Sequence, residues 1–195
     1  YSMQRAFRSH DYEDLKKSYT SIKVPNIKIV VSGGGRVSQG AVETLENLSI
    51  ARVSKNDFLS KSYTHPVYTQ LDVEDLYQRK HDGGFDLQEF FDDPSGYESL
   101  FASYAKGTDL FINGIYWNPA APLFFKKEDV KSSDFRIQTI ADISCDIEGS
   151  VPITLRSTTI EEPVFGYSRL SGEETVPFSS ESIDIMAVDN LHTEL

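Results

Sequence analysis

The sequence predicts an α/β domain built on a doubly wound, mainly parallel sheet with helices on both faces. Three observations carry that prediction. The first is the stretch Ile27 to Ala41, I-K-I-V-V-S-G-G-G-R-V-S-Q-G-A, in which a short apolar run ends in three glycines and an amphipathic run follows at once. The second is the alternation of strand-like and helix-like segments along the rest of the chain, the pattern of a parallel sheet covered on both sides. The third is that polar or glycine-containing segments close each apolar run: Ser32 to Gly35, Ser54-Lys55, Asn113-Gly114, Asp142 to Asp146 and Asp189-Asn190. In such sheets ligands bind beyond the carboxyl ends of the strands.

The opening stretch sets the chemistry. Ile27, Ile29, Val30 and Val31 suit a buried strand, and Val37, Ala41, Leu45 and Leu48 recur at helical spacing. Between them, Gly33-x-Gly35-x-x-Ser38 occupies the place of the dinucleotide fingerprint of a Rossmann-like fold. Gly33 permits the tight turn. Gly35, without a Cβ, lets the backbone approach a pyrophosphate. A small residue at Ser38 lets the helix pack close to the strand, and the helix N-terminus offers free N–H groups to the phosphates. Gly33, Gly34, Gly35, Arg36, Val37 and Ser38 are therefore candidate cofactor-binding residues; a glycine-rich turn in another kind of α/β unit is the competing reading.

Each element follows in order. Tyr1 to Ser9 has no pattern and reads as a lead cut from a longer chain, so residues 1–24 are expected to be a lead and a helix from a neighbouring domain, and 25–195 an NAD(P)-binding domain. Asp11 can cap a helix through Tyr19. Ile50 to Val53 is expected as the second strand, Lys55 to Ser60 as a helical turn and Val67 to Leu71 as an extra strand. Asp72 can begin a short helix that ends at His81-Asp-Gly-Gly. Asp86 can cap Leu87 to Phe91, and Pro94 to Tyr104 reads as a helix with Tyr97, Leu100, Phe101 and Tyr104 on its apolar face. Thr108 to Ile115 is a strong buried strand, Lys126 to Lys131 a helical turn, Phe135 to Ile143 another strand, and Ile183 to Val188 the last. The loop Asp142 to Ser150 lies between them.

Composition narrows the partners. The chain has 195 residues, of which 39% are hydrophobic, enough to bury a core. A net charge of -11 argues against nucleic acid or an anionic membrane as partner, so an anionic ligand must be held by local groups. No apolar run approaches the roughly 20 residues of a membrane span, and no signal peptide is evident. The single Cys145 excludes an intrachain disulfide and a multi-cysteine zinc site, and His10, His65, His81 and His192 are scattered, so no metal is expected. A reducing, cytoplasmic setting fits.

Four stretches resemble the family of alanine dehydrogenase, transhydrogenase and lysine-forming saccharopine dehydrogenase, nearest its lysine–2-oxoglutarate reductase branch. They are V-S-G-G-G-R-V-S-Q-G-A, L-F-I-N-G-I-Y-W, A-D-I-S-C-D-I-E-G-S, and S-T-T-I-E-E-P leading to A-V-D-N-L. The resemblance implies the nucleotide domain of an NAD(P)-dependent amino-acid dehydrogenase that moves a hydride at a C–N bond. Its small amino-acid substrate would be held by a second, missing domain, and a homo-oligomer is compatible with the class. An alanine dehydrogenase-like enzyme and a non-catalytic nucleotide-binding regulatory module are the alternatives. By the same resemblance Asp146 matches an aspartate assigned a catalytic role in alanine dehydrogenases, and Asp189, with Asn190, matches residues near the nicotinamide ribose. Asn113, Gly114 and Asp142 are further cofactor-binding candidates at strand ends.

One departure concerns cofactor choice. Where NAD-using members have a carboxylate, about 20 residues after the first glycine, this chain reads Arg52-Val-Ser54-Lys55. Ser54 and Lys55 can accept a 2′-phosphate, which favours NADP(H); alternatively Lys55 is a solvated surface cation. Cys145 is expected to be a packed, inert thiol, since no histidine neighbours it.

Overall fold

The structure, a computed structural model, describes residues 8–189. Asp11 caps α1 (Tyr12–Tyr19), its carboxylate accepting from Asp14 N–H at 2.8 Å. Then come β1 (Lys28–Ser32), α2 (Arg36–Asn47), β2 (Ala51–Arg52), α3 (Lys55–Ser60), β3 (Val67–Leu71), α4 (Val73–Leu76) and β4 (Tyr77–Arg79). The remainder comprises α5 (Leu87–Asp92), β5 (Tyr97–Ser99), α6 (Phe101–Ala105), β6 (Leu110–Asn113), β7 (Thr139–Asp142), β8 (Val164–Ser168), β9 (Glu174–Thr175) and β10 (Ser182–Met186).

Eight strands form one sheet in the order β2-β3-β1-β6-β7-β10-β8-β9. The first six run parallel to one another; β8 and β9 close the far side as antiparallel strands. This is a Rossmann-like α/β sheet that changes direction at β1, with β3 on one side and β6 on the other. Strand alternation divides the core. Ile29 and Val31 of β1, with Tyr68 and Ile112, pack beneath Val42, Leu45 and Ile50 on the α2 face. Val30, Phe111 and Ile140 face the other way, against Phe58, Leu76, Phe101 and Phe124. That second face is an aromatic cluster, with Phe101 and Phe111 ring centroids 4.6 Å apart and Phe111 and Phe124 5.6 Å apart.

Several expectations are corrected. The second strand is only Ala51–Arg52, and it lies at the sheet edge instead of beside β1. Its neighbour β3 takes the inner position because all five of its residues are buried, whereas both residues of β2 are exposed. Pro94 to Tyr104 is not one helix. A 3-10 turn at Pro94–Gly96 leads into β5, which pairs antiparallel with β4, and only Phe101–Ala105 is helical. The apolar spacing was nonetheless a burial signal, since Tyr97, Phe101 and Tyr104 all enter the same core cluster. The helix begun by Asp72 ends at Leu76, and the Lys126 to Lys131 turn is a 3-10 turn at Asp129–Lys131.

Phe111 is fully buried at the centre of the aromatic face. Phe111→Ala should lower unfolding stability by about 3–5 kcal/mol, the usual cost of removing a buried phenyl ring. Denaturant unfolding measures it; a loss below about 1 kcal/mol would contradict this packing.

Candidate functional site

The glycine turn is held from three sides. Gly33 adopts φ +93, open to glycine, and its N–H donates to Leu71 C=O at 2.8 Å. The Gln70 amide donates to Gly33 C=O at 2.9 Å, and Arg52 in turn donates to the Gln70 side chain at 3.3 Å. Ser38 is fully buried behind the turn; its hydroxyl reaches the carbonyls of Ser32 at 2.8 Å and Gly114 at 3.1 Å. The fit is tight enough that a Cβ on Gly114 would lie 2.6 Å from Ser38 Oγ. Gly35 differs, because an added Cβ would meet nothing within 4 Å. It is the N-cap of α2, which carries no side-chain cap and no acidic residue in its first turn. The first N–H groups of the 12-residue helix thus face open space with their positive dipole end uncompensated.

That open space is a cleft of about 810 Å³. Gly33, Gly34, Gly35, Arg36 and Val37 form one wall, Gly114 to Trp117 the next, and Ile143, Ser144 and Asp146 the third. A smaller cavity of about 190 Å³ adjoins it, walled by Val73, Tyr77, Phe90, Phe91, Tyr116 and Trp117 among others. Trp117 lines both, and its indole N–H is buried without a hydrogen-bond partner.

Asn113 and Asp142 lie directly beneath, fully buried. Asn113 accepts from the Ser32 hydroxyl at 2.7 Å and donates to Asp142 at 2.8 Å, Ser150 at 2.9 Å and Ser144 at 3.1 Å. Asp142 also accepts from Thr154 at 2.6 Å and Ser144 at 2.7 Å. These two residues therefore join β1, β6 and β7 to the loop that carries Ser144 and Asp146. Burial pushes the Asp142 carboxyl up from its ordinary value; the hydroxyl and amide donors of Thr154, Ser144 and Asn113 pull it back, and the nearby Asp146 raises it.

The remaining candidates lie elsewhere. Ser54 caps α3, accepting from Asp57 N–H at 3.1 Å, and Lys55 pairs with Asp75 at 2.5 Å. Neither lines the cleft. Because β3 is the strand beside β1, the strand-end position next to the turn belongs to Leu71-Asp72, and the Asp72 carboxylate abuts Gly34. Ser54 and Lys55 thus follow the edge strand β2, whereas Asp72 follows β3, the strand beside β1. Asp189 donates its N–H to Thr158 C=O at 3.3 Å and its carboxylate faces the Cys145 thiol. Burial, with Asp189, Asp142 and Asp146, pushes that thiol up from its ordinary value. Asn190 lies outside the described residues. Sequence reasoning did not single out Asp72, Ser144, Ser150 or Thr154, which the structure places beside or beneath the cleft; it weighed Trp117 as a cleft residue against a core aromatic. The signal for Asp72 was an apolar run closed by a carboxylate, but strand order decides its importance.

The fold and its cleft define a Rossmann-like α/β domain with a glycine turn at the point where strand order reverses. Comparison with known proteins identifies homologues. The chain is 32% identical over 193 residues to alpha-aminoadipic semialdehyde synthase, mitochondrial, of Rattus norvegicus, covering 87% of this chain and 21% of the relative. The Bos taurus protein of that name is 29% identical over 197 residues, with the same coverages, and alpha-aminoadipic semialdehyde synthase of Arabidopsis thaliana is 23% identical over 202 residues, covering 93% and 19%. The homologues of this chain are thus alpha-aminoadipic semialdehyde synthases, in agreement with the branch to which the motifs pointed. The chain spans about a fifth of the length of these relatives. No protein-family model matches it.

A raised carboxyl has a defined sign. Folded Asp142 keeps its proton to higher pH than the unfolded chain, so its contribution to stability is full below 3.8 and is lost as pH rises through the folded value. Asp142→Asn cannot ionise, so it should gain on the wild type as pH rises above 3.8. Denaturant unfolding at several pH values tests it; a stability difference that does not change with pH would contradict the assignment.

Proposed function

We propose that this chain is the nicotinamide-dinucleotide-binding domain of an oxidoreductase acting at a C–N bond of an amino acid or its imine. The observation that carries the reading is the uncapped N-terminus of α2 behind Gly35, opening on a cleft that two further strand ends complete. The residues present fit such a cofactor. The N–H groups following Gly35, with Arg36, would hold the pyrophosphate, supplying locally the positive potential that a domain of net charge -11 lacks. Trp117, with its unpaired indole N–H, and the aromatic cavity beside it suit a flat heteroaromatic ring with acceptor nitrogens.

The bound cofactor would supply the hydride donor or acceptor. The chain's own residues bind, orient and exclude water. Asp146, on the third wall, is the catalytic candidate: its carboxylate can orient a cationic amine by charge and hydrogen bonding. The name of the relatives supports C–N chemistry, because oxidising an amine to an imine, followed by hydrolysis, releases an aldehyde. The substrate would be held by a wall that the parent supplies outside this chain. A cytoplasmic or other reducing compartment suits the single cysteine; the rat, mouse and bovine relatives are described as mitochondrial. Among the described residues no helix is long and apolar enough to cross a membrane.

On cofactor choice, the grounds for NADP(H) are altered by strand order. Ser54 is engaged in capping α3 and Lys55 in an ion pair, whereas the Asp72 carboxylate, although it also caps α4, stands beside the turn. A carboxylate there accepts from two ribose hydroxyls and repels a 2′-phosphate. NAD(H) is therefore the partner this reading favours. Asp72→Ser should shift the preference toward NADPH by about tenfold, the value of one charge-assisted contact. Calorimetric titration of both proteins with both cofactors decides it; tighter NADPH binding by the wild type, or an unchanged ratio in the variant, would refute the choice.

Gly35→Val tests the site itself. Its side chain has room, so the fold should persist, but it would fill the space above the helix N-terminus. NADH affinity should fall by more than about tenfold with little change in thermal stability. Equal affinity in the two proteins would reject the site. Cofactor binding without turnover in the full-length parent would point to a nucleotide-binding regulatory module instead.

A further inference from the structure

A second large cavity lies at the opposite end of the sheet. It measures about 1090 Å³ and opens where β7 and β10 begin, around Gln138, Thr139, Ser182 and Asp184. Its floor holds Arg169, just past β8. The Arg169 guanidinium donates to the carbonyls of Val130 and Phe135, both at 3.0 Å, and of Ile137 at 2.5 Å, and it lies 5.6 Å from the centroid of the Phe135 ring. Three of its five donors are used, all on neutral oxygens. Among the described residues no carboxylate pairs with it. Partial burial pulls its pKa down, and the three carbonyls are neutral, so its charge is not paired.

The cations around it outnumber the anions. Lys106, Lys131 and Arg136 line the same cavity, against Asp134 and Asp184. Lys106 pairs with Asp134 at 3.1 Å, and Arg136 pairs with Asp109 at 2.7 Å. Asp184 accepts from Phe178 N–H at 2.8 Å and the Ser182 hydroxyl at 2.9 Å. Lys131 has no ion-pair partner among the described residues. Lys131 and Arg169, neither paired with a carboxylate among the described residues, thus share one recess, with the Ser133 and Ser180 hydroxyls on its walls, in a chain of net charge -11. Such a positive recess in an acidic protein focuses field on small anions.

We infer that this recess is a second ligand site, which binds a small oxyanion carrying two or more charges, through Arg169 and Lys131. The free guanidinium N–H groups and the ammonium supply charge-assisted donors, and the serine hydroxyls complete the shell. The cavity is large enough for a substituted phosphate or a polycarboxylate. It is separated from the glycine turn by the length of the sheet, so its occupant is distinct from the proposed dinucleotide.

Calorimetry with inorganic pyrophosphate and with citrate, at constant ionic strength, tests the site in three proteins: wild type, Lys131→Glu and Gly35→Val. Arg169 also braces three carbonyls, so its replacement risks unfolding; its Nε–H signal is followed instead by NMR during each titration. The expected result is a saturable site that Gly35→Val retains and that Lys131→Glu weakens about tenfold, with a shift of the Arg169 signal on saturation. Pyrophosphate alone behaving this way identifies a phosphate occupant; citrate behaving likewise identifies a carboxylate one. No saturable binding, binding lost in Gly35→Val but unchanged in Lys131→Glu, or a stationary Arg169 signal would overturn the inference. The Gly35→Val control separates this outcome from failure of the dinucleotide reading.

Discussion

The side-chain amide of Asn113 is the constraint on which the carboxyl edge of the sheet depends. It is fully buried at the end of β6, with Ser32 on one side and Asp142 on the other. Buried polar groups are costly unless satisfied, and this one is satisfied only when three strand ends and the loop through Ser150 are in register. The amide therefore specifies geometry more than it supplies stability. The Ser38 hydroxyl does the same one layer up, tying the start of α2 to the ends of β1 and β6. Together they fix the glycine turn, the Gly114 wall and the Ser144–Asp146 wall relative to each other, so the cleft is shaped before any ligand enters.

Electrostatics explains why that cleft can take an anion in an acidic domain. Several other helices start on carboxylates or hydroxyls: Asp11 on α1, Ser54 on α3, Asp72 on α4 and Asp86 on α5, although α6 starts at Leu100 without a side-chain cap. Only α2, the longest helix among the described residues, begins with a glycine and lacks any side-chain cap while facing the cleft. The first turn of α2 thus stays open to a ligand at the point where the strand order reverses. At the opposite edge the proposed second site rests on a side chain, Arg169, which is bonded to three carbonyls but has no carboxylate paired with it among the described residues.

Much of this was legible in the sequence, and the rest was hidden for identifiable reasons. The turn from Ser32 to Ser38 carries its own backbone requirements, so its glycines and small residue could be read directly. Asn113 and Asp142 were found as strand-end polar residues, but sequence could not reveal that they face each other under the cleft floor; their partners Ser150 and Thr154 arrive from a loop with no periodicity. The weakly alternating run Val67 to Leu71 was underrated, because a strand buried on both faces shows no clear alternation. Its place beside β1, which sequence does not reveal, is what brings Asp72 next to the glycine turn. Residues Tyr97 to Tyr104 misled in the opposite way, since spacing that matches a helix was realised as a strand followed by one helical turn, both facing the aromatic core.

The central claim is that a dinucleotide phosphate sits on the N-terminus of α2 with its aromatic base toward Trp117. An amide NMR titration of the chain with NADH tests it most directly. The account predicts that the backbone N–H signals of Gly34 to Ser38 and the Trp117 indole N–H shift together and saturate at one concentration. Saturable binding that leaves those signals in place, or moves only residues at the opposite edge of the sheet, would contradict it.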